Sequence, residues 1–522
     1  MWRITPSANP PYVRTITSIS TKAIIMDKPD ATGQSRREVL QALATAGVAV
    51  TAAVLPASAQ ETARPRAGSG NQRTIAQTLA DYAVKLHYED LPAEVVRTVK
   101  RTIIDTIGCA IGGYEAGPSQ IALKLARNVS ATQGATVFCG GFKSSHDLAV
   151  FANGVMIRYL DFNDGYITPM GGGHPSDTLA SLITTADVAG RSGRDLITAT
   201  ALAYEAFCKL ADVLDTRSIG LDQATILGPA AVIGASRLMG LTAEQTVHAI
   251  GITVGGNTAI NQGRVGTLSN WKDFACAEAS RKAIFSAQLA QAGMTGPAQV
   301  FEGPLGFFHA ITRKPFELPN LGEPYGIMRA FTKRFPLGQY SQTVAEAATQ
   351  SRAYFKNVDE IAEINIRVSQ NAIKIMADSP DKWRPQSHET ADHSMPYATA
   401  VVLMYGTIDE HFYEDPYLHD ERLLALVARV RAIHSPEADL HEREYNLCDF
   451  EVVLKSGERK AVRVEYHRGH FENPMTDAEM EEKFRSLALK HLSAERIDAL
   501  LRQLWTLEDM PKAGALIEMT KV

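Results

Sequence analysis

Apolar positions recur with a helical period over most of the chain. From about Thr74, Ile75-Ala-Gln-Thr-Leu79 continues through Tyr82 and Val84 at roughly helical spacing. Pro92 is suited to a first helical turn ahead of Val95, Val96 and Val99, and Thr102–Ala110 predicts another buried helix ending at Gly112-Gly113. A series of Ala- and Gly-rich helices is expected from Leu179 to about Ala290. Within it, Gly228 to Gly240 repeats small residues that let helices pack at close range. Thr242 and Gln245 carry a capping box before the next helix. No strand-like alternation interrupts this region, so the first large unit is predicted to be mostly helical.

The pattern changes after Lys333-Arg-Phe-Pro336. Ile361–Val368 alternates apolar and polar residues and predicts a strand. Asp449–Gly457 and Ala461–Tyr466 alternate as well, with Ser456-Gly457 between them, and predict a hairpin. Met395–Tyr405 is an apolar helix. The fold class is therefore mainly α with an α+β unit of about 135 residues, an ordinary domain size. A further capping box, Thr476 to Glu479, opens helices that run to the C-terminus.

Length and composition sharpen this picture. At 522 residues the chain exceeds one comfortable core, and two domains are expected. Its 45% hydrophobic and 21% charged residues are those of a soluble globular protein. A net charge of −5 gives no reason to expect nucleic acid or a membrane surface, so an anionic substrate would need a local cluster of Lys and Arg. Five scattered cysteines without a C-x-x-C pair lack the usual spacing of zinc or iron–sulfur sites. No dinucleotide fingerprint follows a strand, and no G-x-S-x-G elbow is present, which argues against oxidoreductase and nucleophilic hydrolase chemistry.

Ser35-Arg36-Arg37-Glu38-Val39-Leu40 precedes an uncharged run from Ala42 to Pro56 and the small-residue site Ala57-Ser58-Ala59. That order resembles a twin-arginine export signal, with Val39 where Phe is usual. The run of about 15 residues is short for a membrane span. The expectation is a leader over 1–59, with Met26 as its start, a polar linker over 60–73 and a periplasmic mature protein, or a cytoplasmic one if the signal is unused.

Asp161–Ala180 sets three carboxylates, four glycines, two prolines and one histidine between two helical segments. It reads either as a solvated connector whose His174 caps the next helix, or as a loop that approaches a ligand closely with a titratable group at hand. Asp161-Phe-Asn-Asp164 followed by Gly173-His-Pro-Ser-Asp177 resembles a signature of the MmgE/PrpD family. Ordered markers extend the resemblance from roughly Thr74 to Leu516. They include Gly293–Pro297, Phe301–Gly306, Lys333–Pro336 with Ser341-Gln-Thr343, Ala391–Tyr397 and Glu472–Met475.

The resemblance implies a homodimer that acts without cofactor or metal on small di- and tricarboxylates, by dehydration, decarboxylation or epimerisation. It implies a helical domain over 74–332, an α+β lid over 333–470 inserted between hinges, and helices over 471–522 that return to the first domain. By the same resemblance, His174 is the proton-transfer residue, Asp161 orients it or a substrate hydroxyl, and Asp164 assists. Lys272 and Lys333 meet substrate carboxylates, with Arg264 as a further candidate, and Ser341 and Gln342 donate neutral hydrogen bonds.

Three positions depart from the family pattern. Gly165 replaces a common Thr, and Gln223 and Tyr340 stand where histidines are frequent. Gln cannot exchange a proton at neutral pH, and Tyr can only with a strongly lowered pKa. His174 would then work with Tyr340, or the reaction has shifted. The leading expectation is a hydro-lyase of the 2-methylcitrate dehydratase type. The alternatives are a decarboxylase or epimerase/isomerase of the same family, and a periplasmic carboxylate-binding protein without turnover.

Overall fold

A computed structural model describes residues 73–442 and 445–522. The expected leader over 1–59, and the linker up to residue 72, lie outside the described residues. Helix α1 spans Ala93–Gly112 without a break, with Pro92 at its N-cap. The two helical segments expected there are one, because only Lys100 and Arg101 separate Val99 from Thr102 and neither breaks a helix. Helices α2 (His146–Tyr159), α3 (Gly193–Val213), α4 (Ala224–Met239) and α5 (Trp271–Gln291) follow. Helix α5 packs on both α2 and α4, and α3 packs on α4.

Small residues set the spacing of these helices. A β-carbon added at Gly154 of α2 would lie 2.9 Å from the Ala277 β-carbon of α5, so the backbones meet where no larger residue fits. Both predicted capping boxes are formed, by Thr242 with Gln245 and by Thr476 with Glu479. Helix α6 (Asp477–Ala488), the first of the closing helices, returns to pack along α1.

Among the described residues, the central stretch contributes a short antiparallel pair, β1 (Tyr166–Thr168) and β2 (Gly171–Gly173). The larger sheet is four-stranded and mixed. It consists of β3 (Ile361–Val368), β4 (Val430–His434), β5 (Cys448–Leu454) and β6 (Arg459–Val464), in the order β4-β3-β5-β6. Strands β5 and β6 form the expected hairpin, and β3 pairs antiparallel to β5. Strand β4, which the alternation pattern did not announce, runs parallel to β3.

Buried apolar side chains fall into two main clusters. One gathers residues from Ile75 to Ile327 together with Phe484–Ile517, and the other gathers Phe335–Val464 around the sheet. All five cysteines are buried and unpaired. Among the described residues no helix is long and apolar enough to cross a membrane.

Candidate active site

The C-terminus of α2 delivers Arg158 and then turns sharply. Asp161 takes φ of +46°, a left-handed conformation that Asp tolerates better than most residues. Contacts around its carboxylate hold it there. Arg158 and the Lys333 ammonium both reach Oδ1, Lys333 at 2.7 Å, and Lys333 also donates to the Asp161 carbonyl at 2.7 Å. Burial alone would raise the Asp161 pKa, but the Arg158 and Lys333 charges hold it well below the usual carboxylate range. Burial pulls Lys333 the other way, down to about 8. Lys483 of α6 fixes this turn from behind, donating to the carbonyls of Phe162 (2.7 Å) and Lys333 (2.9 Å) while pairing with Asp105 of α1.

The glycine run is a strand rather than a solvated connector. Gly171, Gly172 and Gly173 have φ of +151°, +92° and +157°, values that favour glycine. The run presents His174, whose Nδ1 lies 2.5 Å from the Asp164 carbonyl. A carbonyl can only accept, so Nδ1 carries the proton and Nε2 keeps its lone pair. Burial, followed by the Arg158 and Lys333 charges, holds the His174 pKa well below the usual imidazole range. The ring is neutral at physiological pH. The His174 amide donates to Gln223 Oε1 at 2.5 Å. The Asp164 carboxyl, raised to about 7 by burial, accepts from the Ser176 amide and the Tyr204 hydroxyl.

A second buried group faces Asp161 from the turn before Met395–Tyr405. His393 Nδ1 lies 2.6 Å from Asp392 Oδ1 and 3.4 Å from Asp161 Oδ2. The other Asp392 oxygen pairs with Lys272, which also lies 3.6 Å from Asp273. Burial would lower the Lys272 pKa, but Asp392 and Asp273 raise it instead.

These groups back a cavity of about 80 Å³. His174, His393, Tyr340, Gln223 and three guanidinium groups (Arg158, Arg217 and Arg264) line it. Arg264 is held by Asp222 at 2.7 Å and by the Lys272 carbonyl at 2.9 Å. Arg217 bonds the Gly171 carbonyl and the Tyr340 phenol and lies 4.0 Å from Glu442. Asp222 is the one carboxylate among the lining residues, so the wall is net positive. Small polycarboxylates are the anions such a wall suits.

Of the residues expected at the site, His174, Arg264, Gln223 and Tyr340 line the cavity, and Asp161 stands directly behind them. Lys272 and Lys333 do not line it; each ammonium is fully buried and already paired with a protein carboxylate. Gln342 spends its amide on the backbone of Arg334, Phe335 and Leu337, so it is a clamp for that segment and not a substrate donor. Ser341 Oγ is buried without a hydrogen-bond partner among the described residues and does not line the cavity. Burial raises the Tyr340 pKa, so its phenol stays protonated and cannot serve as a base.

Arg158, Arg217 and His393 were not singled out from the sequence. Asp161, Asp392 and His393 present donor atoms within 4.8 Å of one another. The set does not suit a metal, because Arg158, Lys333 and Lys272 already neutralise its carboxylates and would repel a cation.

Residues 77–319 match the model of the MmgE/PrpD N-terminal domain, and residues 335–507 match that of the MmgE/PrpD C-terminal domain. The chain belongs to the MmgE/PrpD family. Curated relatives include 2-methylcitrate dehydratase of Escherichia coli K12, 27% identical over 418 residues, covering 75% of this chain and 85% of the relative. The enzyme of the same name from Cupriavidus necator is 28% identical over 423 residues, with the same coverage. Human cis-aconitate decarboxylase is 26% identical over 472 residues, covering 86% of this chain and 95% of the relative.

Within this MmgE/PrpD chain the departure at Gly165 has a steric cause. A β-carbon there would lie 2.3 Å from the Phe331 ring, which occupies the space a threonine would need.

Proposed function

We propose that the protein is a cofactor-independent hydro-lyase that removes water from a small hydroxy di- or tricarboxylate, as its relatives named 2-methylcitrate dehydratase do. One observation carries the reading: a neutral His174, with its Nε2 lone pair free, stands in a small cavity walled by three guanidinium groups. Such a cavity supplies both requirements of elimination next to a carboxylate. His174 accepts the proton from the carbon beside the carboxylate. Arginines hold the carboxylates and stabilise the charge that builds on them as the C–H bond breaks.

Lys272 and Lys333 act through Asp392 and Asp161, keeping both ionised beside the two imidazoles. Decarboxylation is the second reading, favoured by the likeness to human cis-aconitate decarboxylase over 95% of that enzyme.

The deciding experiment is NMR in deuterated water of the mature protein with 2-methylcitrate, citrate, cis-aconitate and substituted succinates. An olefinic product from a hydroxy acid is expected. Loss of carbon dioxide would replace the reading with decarboxylation, and α-deuteration alone with isomerisation. Binding without exchange or product would leave only a carboxylate-binding protein.

A further inference from the structure

We infer that His393 is a second proton-transfer residue of this cavity, paired with His174 across their shared carboxylate Asp161 and serving as the acid for the departing hydroxyl. The inference rests on the proposed hydro-lyase reading and deepens it. Gln223 and Tyr340 stand at positions frequent for histidine, so neither position gives His174 a second imidazole. The structure supplies one from the other side of Asp161.

The tautomer of His393 follows from its neighbours. Nδ1 faces Asp392 Oδ1 at 2.6 Å and Asp161 Oδ2 at 3.4 Å, and carboxylates only accept. Nδ1 therefore carries a proton, and Nε2 is the position that can load and unload a second one. Among the described residues Nε2 has no hydrogen-bond partner, while the ring lines the cavity. His174 is arranged likewise, with Nδ1 tied to a carbonyl and Nε2 3.7 Å from Asp161 Oδ1.

Surrounding charge divides the labour between the rings. His174 is exposed to Arg158 and Lys333, which disfavour a second proton and suit it to be the base. Burial, against the opposing pull of Asp392 and Asp161 and with the help of Lys272, holds the His393 pKa down to about 4, so its free ring is neutral and takes a second proton only when more negative charge enters the cavity. A bound polycarboxylate brings that negative charge into the same space beside Asp392 and Asp161, and His393 loads its proton with the ligand.

The step balances. His174 Nε2 takes the proton from the carbon beside the carboxylate, and the C–H electron pair becomes the new double bond. The C–O bond breaks, and the hydroxyl leaves as water with the proton from His393 Nε2. The two rings return to their starting forms by exchange with solvent.

A leaving group that needs no proton provides the test. 2-Methylcitrate and its analogue with fluorine in place of the hydroxyl are compared on the wild type, His393→Gln and His174→Gln. For His393→Gln we expect water elimination to fall at least ~100-fold, in line with the loss of a general acid, and fluoride release to stay within about 5-fold. His174→Gln should lose both. Equal loss of both reactions in His393→Gln, or loss of neither, would overturn the assignment.

¹⁵N spectra of histidine-labelled wild type with citrate as the probe separate this idea from the function it rests on. If both rings respond but no elimination occurs, the hydro-lyase reading fails and the place of His393 at the ligand stands. A response of His174 alone overturns the role of His393. Silence of both rings overturns the two together.

Discussion

The contact between Gly165 and Phe331 can be tested by filling it. Replacing Gly165 with Ala would set a β-carbon 2.3 Å from Phe331 Cζ and 2.7 Å from Cε2, so the ring would have to withdraw by about 1 Å to reach ordinary contact. It has little room. Phe331 is 4% exposed, its ring meets His467 edge-on at 5.0 Å, and its backbone is bridged to Gly165 by two 2.9 Å hydrogen bonds. Overpacking of this kind costs about 1–3 kcal/mol. Phe331→Ala alone should cost about 3–5 kcal/mol through the cavity it leaves. In the double variant the new methyl enters that cavity, so the loss should be smaller than the sum by about 1–3 kcal/mol. Urea unfolding of the wild type, both single variants and the double variant gives this coupling directly. Additivity within about 0.5 kcal/mol, or an unperturbed Gly165→Ala protein, would refute the steric account of the missing threonine.

Asp164→Asn should change how stability depends on pH. The folded pKa of Asp164 is raised to about 7, so the folded form holds a proton that the unfolded form releases near 3.9. Its contribution is full below the unfolded pKa and is lost as pH rises to about 7, a difference of about 3 units or ~4 kcal/mol. The asparagine variant should lack that loss, and parallel stability curves from pH 4 to pH 8 would show the idea wrong. Lys333, lowered to about 8 by burial, should discharge as pH rises past that value and leave Asp161 without its ammonium. Activity should therefore fall along a basic limb near pH 8 that Lys333→Arg moves upward; an unmoved limb would assign it to another group. Arg217→Gln should raise KM for a polycarboxylate at least ~10-fold with a smaller effect on kcat, and unchanged KM would remove Arg217 from substrate binding.

Much of the framework was legible because it is written locally. Thr242 with Gln245 and Thr476 with Glu479 cap their helices through contacts three residues apart, and β5 and β6 meet across a short turn. Strand β4 escaped notice because it pairs with a strand some sixty residues earlier, and five residues offer little alternation. At the site, the resemblance singled out His174, Asp161, Lys272 and Lys333, yet residue type alone could not tell which cations face the cavity. That depends on where the fold sets each one. Lys272 meets Asp392 across 120 residues and Lys333 meets Asp161 across 172, and neither ammonium lines the cavity, whereas Arg158 and Arg264 line it while pairing with Asp161 and Asp222, and Arg217 lines it beside them. Read singly, Arg158 and Arg217 are ordinary helix-end and loop charges, and His393 sits in a short polar run, Asp392-His-Ser394, just before the apolar helix Met395–Tyr405.

The five unpaired cysteines give the protein a set of internal reporters. Each thiol is buried, and burial pushes each thiol pKa up, so none is poised to react while the fold is closed. Cys139, Cys208 and Cys276 belong to the helical cluster and Cys448 to the sheet cluster. Timed alkylation followed by mass spectrometry would then show which half loosens first, with no foreign label engineered into the chain. With no crosslink to break, that order should read the same in reducing and in oxidising buffer.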